Sequence, residues 1–340
     1  MAGKDLIKRW DSDEMKILRS KVLKYIRSNK PFDGLGLGKI AGRWDLRGIR
    51  FPKPKKKEKL KVNGGDLDLK KRTYNLANVS LHSIDFSYAD ISECVFVKCT
   101  IENCIFESSI LKNIECVACN FSNGSFIKTN LSNSSLALNR GVDSGSFKNI
   151  EFIESNLSKV SFRFPVIDNC KFINCKLYEV NFDGSRFSNS KFIGKFESGW
   201  INGYSRYASK SLFGIFNRVN PYDYPNLMKN VDFLEAELED VLFNYKVDLR
   251  DCKFQERGDF IIVKNLPTTY IKAREIIEKD WSREDKRQGL FLIDNFYNSE
   301  MKNGMPMDYI DTSYNKHLGR DFQKIFFDLI ESIDSELLNQ

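Results

Sequence analysis

At 340 residues and 39.5 kDa, with a net charge of +7, the chain is long enough to bury a sizeable core. It holds no stretch of the roughly 18 apolar residues that a membrane-spanning helix needs, and its N-terminus, MAGKDLIKRWDSDEM, lacks the apolar run of a secretory signal. The basic excess is local: residues 1–72 carry 22 Lys and Arg against 9 Asp and Glu, whereas residues 73–194 carry 11 against 12.

In chain order, residues 12–28 read as a helix capped by Ser12, with Met15, Ile17, Leu18, Val22, Leu23 and Ile26 apolar and Pro31 ending it. The segment DGLGLGKIAG that follows lacks the GxxxxGK[ST] spacing of a phosphate loop and follows a helix rather than a strand. WDLRGIRFP is a candidate strand. The run FPKPKKKEKLK, with Lys53, Lys55, Lys56, Lys57, Lys59 and Lys61, reads as a solvated loop, with contact to nucleic acid or another anionic surface through residues 51–61 as the alternative.

From Leu76 a large apolar residue recurs every five positions: Leu81, Phe86, Ile91, Phe96, Ile101, Phe106, Leu111, Cys116, Phe121, Phe126, Leu131 and Leu136. With one residue inserted near Gly141, the series resumes at Val142 and runs through Phe147, Phe152, Leu157, Phe162, Ile167, Phe172, Leu177, Phe182 and Phe187 to Phe192. Two residues before each centre the side chain is usually small or modest, as at Val79, Ala89, Cys94, Ser109, Ser155 and Cys170. A period of five fits neither a helical stripe at 3.6 nor a strand at 2, so each repeat is a short extended piece followed by a bend. Four such pieces close a square turn of twenty residues. Stacked turns about 4.8 Å apart bury the centres as columns.

These residues, in patterns such as SIDFS, YADIS, NCKFI and EVNFD, resemble the pentapeptide-repeat family. The resemblance implies a mainly β fold, a right-handed quadrilateral parallel β-helix, here with α-helical flanks. Seven of the eight cysteines occupy minus-two positions and Cys116 replaces a central hydrophobe, so they read as buried, reduced packing residues. That placement and the missing leader predict a cytoplasmic protein. The CxxC of Cys116 and Cys119 has no second pair and no clustered histidines, and no metal or cofactor is expected.

A weaker continuation at Phe233, Leu238, Phe243, Leu249 and Phe254 predicts one further turn, which makes residues 195–230 an insertion. That insertion concentrates Trp200, Tyr204, Tyr207, Phe213, Phe216, Tyr222 and Tyr224, either packed on the β-helix or forming a binding loop. Beyond it the sequence predicts a strand, a helix from Pro267 to Trp281, a second helix capped by Ser282, and a third from Arg320 to Leu338. The third helix carries Phe322, Phe326, Ile330 and Ile333 on one face. That stripe either caps the chain internally or makes a homodimer contact.

The expected organisation is therefore a helical cap (1–44), a basic linker with a candidate strand (45–72), the β-helix (73–194), an aromatic insertion (195–230), a further turn (231–256) and a C-terminal strand with helices (257–340). Residues twenty apart share an outer wall, which gives two apolar stripes. One is Ala77, Val97, Val117 and Ala137; the other is Ile153, Ile173 and Ile193, on what is expected to be the neighbouring wall. The isoleucine stripe, bordered by Lys171 and Lys191, is the preferred surface for a protein partner.

Only His82 and His317 are present, with no nucleophile elbow or phosphate loop, so a non-enzymatic interaction scaffold is expected. Two alternatives stand beside it, the first of them implied by the resemblance. Some pentapeptide-repeat proteins modulate DNA gyrase or topoisomerase by mimicking duplex DNA, but the near-neutral repeat block lacks the acidity that mimicry needs. The other is a bacterial stress or phage-defence component that contacts nucleic acid through its basic segment.

Overall fold

The computed structural model describes residues 3–53, 57–62, 65–70, 74–138, 145–205, 220–296, 304–313 and 319–339. The repeats wind into a right-handed quadrilateral β-helix whose turns pair in parallel. Wall 1 runs through Leu76, Phe96 and Cys116 and, further along, through Phe182, Ile201 and Phe243. Wall 2 runs through Leu81, Ile101, Phe121, Phe147, Ile167 and Phe187. Wall 3 carries Phe106, Phe126, Phe152, Phe172 and Phe192. Wall 4 is held by single bridges linking Arg50, Asp90, Ile110, Asn130, Asn156 and Lys176.

The five-residue period has a backbone cause. Two residues after each centre the chain turns a corner in the left-handed region, as at Asn78, Asn103, Asn123, Asn149, Asn169 and Asn189, all with φ between 48° and 55°. Asparagine tolerates that conformation better than most side chains. At several corners its amide also bonds to the turn below: Asn149 Nδ2 donates to Asn123 Oδ1 and Asn169 Nδ2 to Asn149 Oδ1, both at 2.8 Å. The minus-two side chains act similarly inside. Ser109 Oγ donates to the carbonyl of Phe86 at 2.7 Å, and Cys104 and Cys170 offer their thiols to the carbonyls of Leu81 and Phe147 at 3.6 and 3.4 Å.

Stacking fills the core. On wall 3, rings follow one another from Phe86 through Phe106, Phe126, Phe152, Phe172, Phe192 and Phe233 to Phe254, with centroids 4.7–5.4 Å apart and planes within 18° of parallel. Offset stacking of this kind adds to the area each ring buries.

The structure revises several boundaries. Phe121 lies beside Phe147 and Phe126 beside Phe152, a step of 26 rather than twenty, so six residues enter the turn instead of one. The expected centre Val142 falls outside the described residues. Gly145 reopens the stack at φ +85°, where a Cβ would stand 2.1 Å from the carbonyl oxygen of Cys119. The stack also begins earlier than residue 73: Trp44 and Asp45 pair with Ile84 and Asp85, and Leu46, Ile49 and Phe51 are buried in the first turn. It continues through residues expected to be insertion, because Phe196 pairs with Leu177 and Ile201 with Phe182. Lys229 rejoins wall 2 beside Ser188, and Phe233, Leu238, Phe243 and Leu249 bury in the turn that follows.

The segment expected to be a basic linker, 45–72, contains two antiparallel strands, Lys57–Val62 and Gly65–Lys70, the first of which begins inside the lysine-rich run. The alternation KEKLKV and GDLDLK across Asn63-Gly64 is a hairpin pattern.

Helices close both ends. After α1 (Gly3–Lys8), helix α2 (Asp13–Arg27) starts at Ser12, whose hydroxyl accepts from Met15 N, and buries Val22, Leu23 and Ile26. Tyr74 Oη donates to the Leu23 carbonyl at 2.6 Å, tying α2 to the first turn. At the other end the strand Phe260–Val263 pairs antiparallel with Asp308–Asp311. Tyr309 stacks on Phe254 at 5.5 Å and Phe260 on Tyr309 at 4.8 Å, so the strand pair extends the aromatic column. Helix α5 (Arg320–Leu338) packs on that pair, α3 (Leu266–Asp280) packs on α5, and α4 (Arg283–Phe296) packs on α3. No helix among the described residues is long and apolar enough to cross a membrane.

Candidate interaction surface on the β-helix

Strand alternation puts Phe126, Phe152, Phe172 and Phe192 inside wall 3 and the next residue of each strand outside. Those next residues are Ile127, Ile153, Ile173 and Ile193, directly paired from turn to turn and partly exposed. The 26-residue step that hides Ile127 from a twenty-residue count adds it to the column. The same step places the column opposite the Ala77 stripe rather than beside it. That stripe is exposed only at its start, since Val117 and Ala137 are buried.

The lysines bordering the isoleucines are paired on the wall itself. Lys171 Nζ lies 2.9 Å from Glu151, while Lys191 lies 2.6 Å from Glu235 and 3.5 Å from Asp232. The hydrogen bond to Glu235 raises the Lys191 pKa above its ordinary value. Two carboxylates end the column: Glu107 pairs with Ile127 at one end, beyond the 26-residue step, and Glu235 pairs with Ile193 at the other, across 42 residues.

Other sequence-selected residues lie elsewhere. Trp200 stands on wall 1, between Asn181 and Leu242, and is 37% exposed. Tyr204 packs against Tyr222 and Tyr245 at 4.6 and 5.6 Å. Tyr207, Phe213 and Phe216 are outside the described residues. Structure therefore does not unite Trp200 and the isoleucines on one wall.

Among the basic residues, Lys53 is paired with Asp90 at 2.5 Å. Lys59 and Lys61 lie opposite Asp68 and Asp66 in the hairpin, Lys57 lies opposite Lys70, and Lys55 and Lys56 are outside the described residues. The apolar stripe of α5 is not available to a second copy. Phe322, Phe326, Ile330 and Ile333 are all buried within the chain, Phe322 and Phe326 against Trp281. Asp334 holds the helix in place by accepting from the backbone N–H groups of Lys264 and Asn265 at 2.9 and 2.8 Å, just ahead of α3. A carboxylate there also complements the positive end of the α3 dipole.

The thiols sit in the core. Burial pushes Cys175 up to about 11 and Cys104 and Cys170 up to about 12. Such thiols are protonated at neutral pH and poor nucleophiles. No group of three or more His, Cys, Asp or Glu among the described residues is arranged to hold a metal. His82 faces Glu102 at 3.0 Å on the surface.

The family model described as pentapeptide repeats (8 copies) matches residues 155–194. No curated protein matches the chain. Among solved structures, QnrB1, a plasmid-mediated fluoroquinolone resistance protein, aligns at 11% identity and a TM-score of 0.29, over 58% of this chain and 90% of that one. HetL, a pentapeptide repeat protein involved in heterocyst differentiation regulation from the cyanobacterium Nostoc sp. strain PCC 7120, aligns at 13% identity and 0.23, over 54% and 91%. Rfr23, from the cyanobacterium Cyanothece 51142, aligns at 15% and 0.17, over 34% and 86%. With a corner every five residues, paired walls and a match to the pentapeptide-repeat model over residues 155–194, the β-helix is built from pentapeptide repeats.

Proposed function

We propose that the chain is a non-enzymatic interaction scaffold that presents wall 3 of its β-helix to a protein partner. The observation that supports this reading is the column Ile127, Ile153, Ile173 and Ile193, partly exposed along four successive turns on a backbone locked by the turns on either side. A contiguous apolar strip on a rigid surface is a common basis for protein association. Mimicry of duplex DNA finds less support, because the carboxylates Glu151, Asp232 and Glu235 on this wall are paired with lysines.

The test is capture of the tagged protein from its native host after nuclease treatment, comparing wild type with Ile173→Asp. A stoichiometric protein bound to the wild type and absent from the variant is the expected result. Equal recovery from both, or recovery abolished by nuclease alone, removes wall 3 from consideration and turns attention to the basic segment.

A further inference from the structure

We infer that the isoleucine column seats an amphipathic α-helix of another protein, one that carries basic residues at both ends. This rests on the scaffold reading and specifies its partner.

Three features of the wall point to a helix. The first is backbone satisfaction. The strands of wall 3 pair with the turns before and after them from Ile84–Asp85 to Lys191–Glu197. An extended peptide laid on this wall finds no open sheet edge to join, so strand addition does not apply. The occupant has to bring its own backbone bonds already made, as a helix does.

The second is spacing. Successive isoleucines are set by the strand separation of about 4.8 Å, so four rungs span about 14 Å. A helix running along the stack presents one apolar side chain per turn every 5.4 Å or so, and three turns cover about 16 Å. The two ladders stay in step over the length of the column.

The third is charge at the ends. Glu107 precedes Ile127 in the column, is exposed, and has no cationic partner among the described residues. Glu235 follows Ile193, where Lys191 serves two carboxylates at once. Surplus negative charge therefore flanks the apolar strip at both ends and complements lysine or arginine in the first and last turns of the occupant. A second copy of this chain is disfavoured by the same residues. Packed antiparallel, the column of one copy sets its Glu107 against Glu235 of the other; packed parallel, each glutamate meets itself.

The probe is a synthetic helix of about 18 residues with leucine at helical spacing on one face and lysine in its end turns, beside a twin with glutamate in those turns. Binding is followed by fluorescence anisotropy at low ionic strength, with circular dichroism confirming that each variant is folded. The lysine-ended helix is expected to bind the wild type and to lose about tenfold in affinity for the double variant Glu107→Lys and Glu235→Lys. The glutamate-ended helix is expected to show the opposite preference, and Ile173→Asp or the milder Ile173→Ser to weaken both. Equal binding of both helices to both proteins, or no binding of either, overturns the inference. Failure of the helix is separable from failure of the scaffold. If the native partner is lost with Ile173→Asp yet retained by the Glu107→Lys and Glu235→Lys variant, the wall binds something other than a basic-ended helix; retention in Ile173→Asp removes the scaffold itself.

Discussion

Wall 3 carries two apolar columns one residue apart on the same strands. The inner column, Phe126, Phe152, Phe172 and Phe192, is at most 2% exposed, whereas the outer column, Ile127, Ile153, Ile173 and Ile193, remains partly open. Both have the same spacing and the same register. Hydrophobicity alone therefore does not separate residues that make the fold from residues that the fold displays; the direction of the side chain does. Substitutions on the two columns are expected to separate stability from binding.

The largest effect belongs to the inner column. Phe172 stacks between Phe152 and Phe192 at 5.0 and 4.7 Å and meets Phe162 and Phe182 edge-on. Phe172→Ala removes a ring from the middle of a continuous stack whose neighbours are tied to their own turns and relax little. A loss of about 3–5 kcal/mol is expected, read as a fall in the urea midpoint. A loss below about 1 kcal/mol would show that the column is loosely packed and would erase the contrast with the outer wall.

A smaller effect is expected where the N-terminal flank joins the first turn. Asp45 takes Arg9 Nη1 and Nη2 at 2.7 Å each and Arg47 Nε at 2.9 Å. Burial alone raises its pKa, and the bonds from the two arginines more than offset that, so the carboxyl lies well below its ordinary range. The folded value is thus below the unfolded one of about 3.9. The stabilisation is present above pH 4 and is lost as pH falls further. Asp45→Asn is expected to cost about 2–4 kcal/mol at pH 7. The gap between the denaturant midpoints of wild type and variant is expected to begin narrowing below pH 4 and to close only as the pH falls through the lowered folded-state value.

The core thiols give a third, weaker contrast, with pH dependence of the opposite sign. Cys104, Cys170 and Cys175 have folded values of about 11 to 12, against about 8.5 in an unfolded chain. Their contribution is complete below pH 8.5 and declines as the pH rises toward 11–12, because the unfolded chain releases these protons first. Replacing all three by serine is expected to flatten that alkaline decline while costing about 1–2 kcal/mol per site at neutral pH. Serine already occupies equivalent positions, as the Ser109 and Ser185 bonds to Phe86 and Phe162 demonstrate. Native thiols are also expected to resist alkylation at pH 8 until urea exposes them.

The legibility of the fold follows from how often its rule repeats. Each quintet has its own centre, its own small minus-two residue and its own corner, so agreement accumulates along the chain. The first turn was less legible because only Leu46 and Phe51 mark it before the sequence leaves for the hairpin. The length of the insertion was misread because Val142 happens to fall on a five-residue step. That error moved the isoleucine column from the opposite wall to a neighbouring one. At the site, Ile153, Ile173 and Ile193 stood out at twenty-residue intervals, while Ile127 and Glu235 lay across larger steps of 26 and 42. For α5, periodicity identified Phe322, Phe326, Ile330 and Ile333 as buried-facing. It did not identify Trp281 and the N-terminus of α3 as what they meet, since those partners are distant in sequence.

The smallest effect on stability is expected one residue from the largest. Ile173 follows Phe172 in the chain but points away from the core, and its neighbours in the column are other partly exposed isoleucines. Aspartate at this position leaves the inner stack intact and places its carboxylate on the outward side that also carries Lys171, two residues earlier on the same strand. The urea midpoint is expected to move by less than about 1 kcal/mol, because the side chain lost was already partly in water. Partner binding is expected to fall sharply, since a charge would then interrupt the apolar strip at its middle. If Ile173→Asp instead destabilises the chain as much as Phe172→Ala, the outer column belongs to the packing of the fold, and the distinction between the two faces of wall 3 collapses.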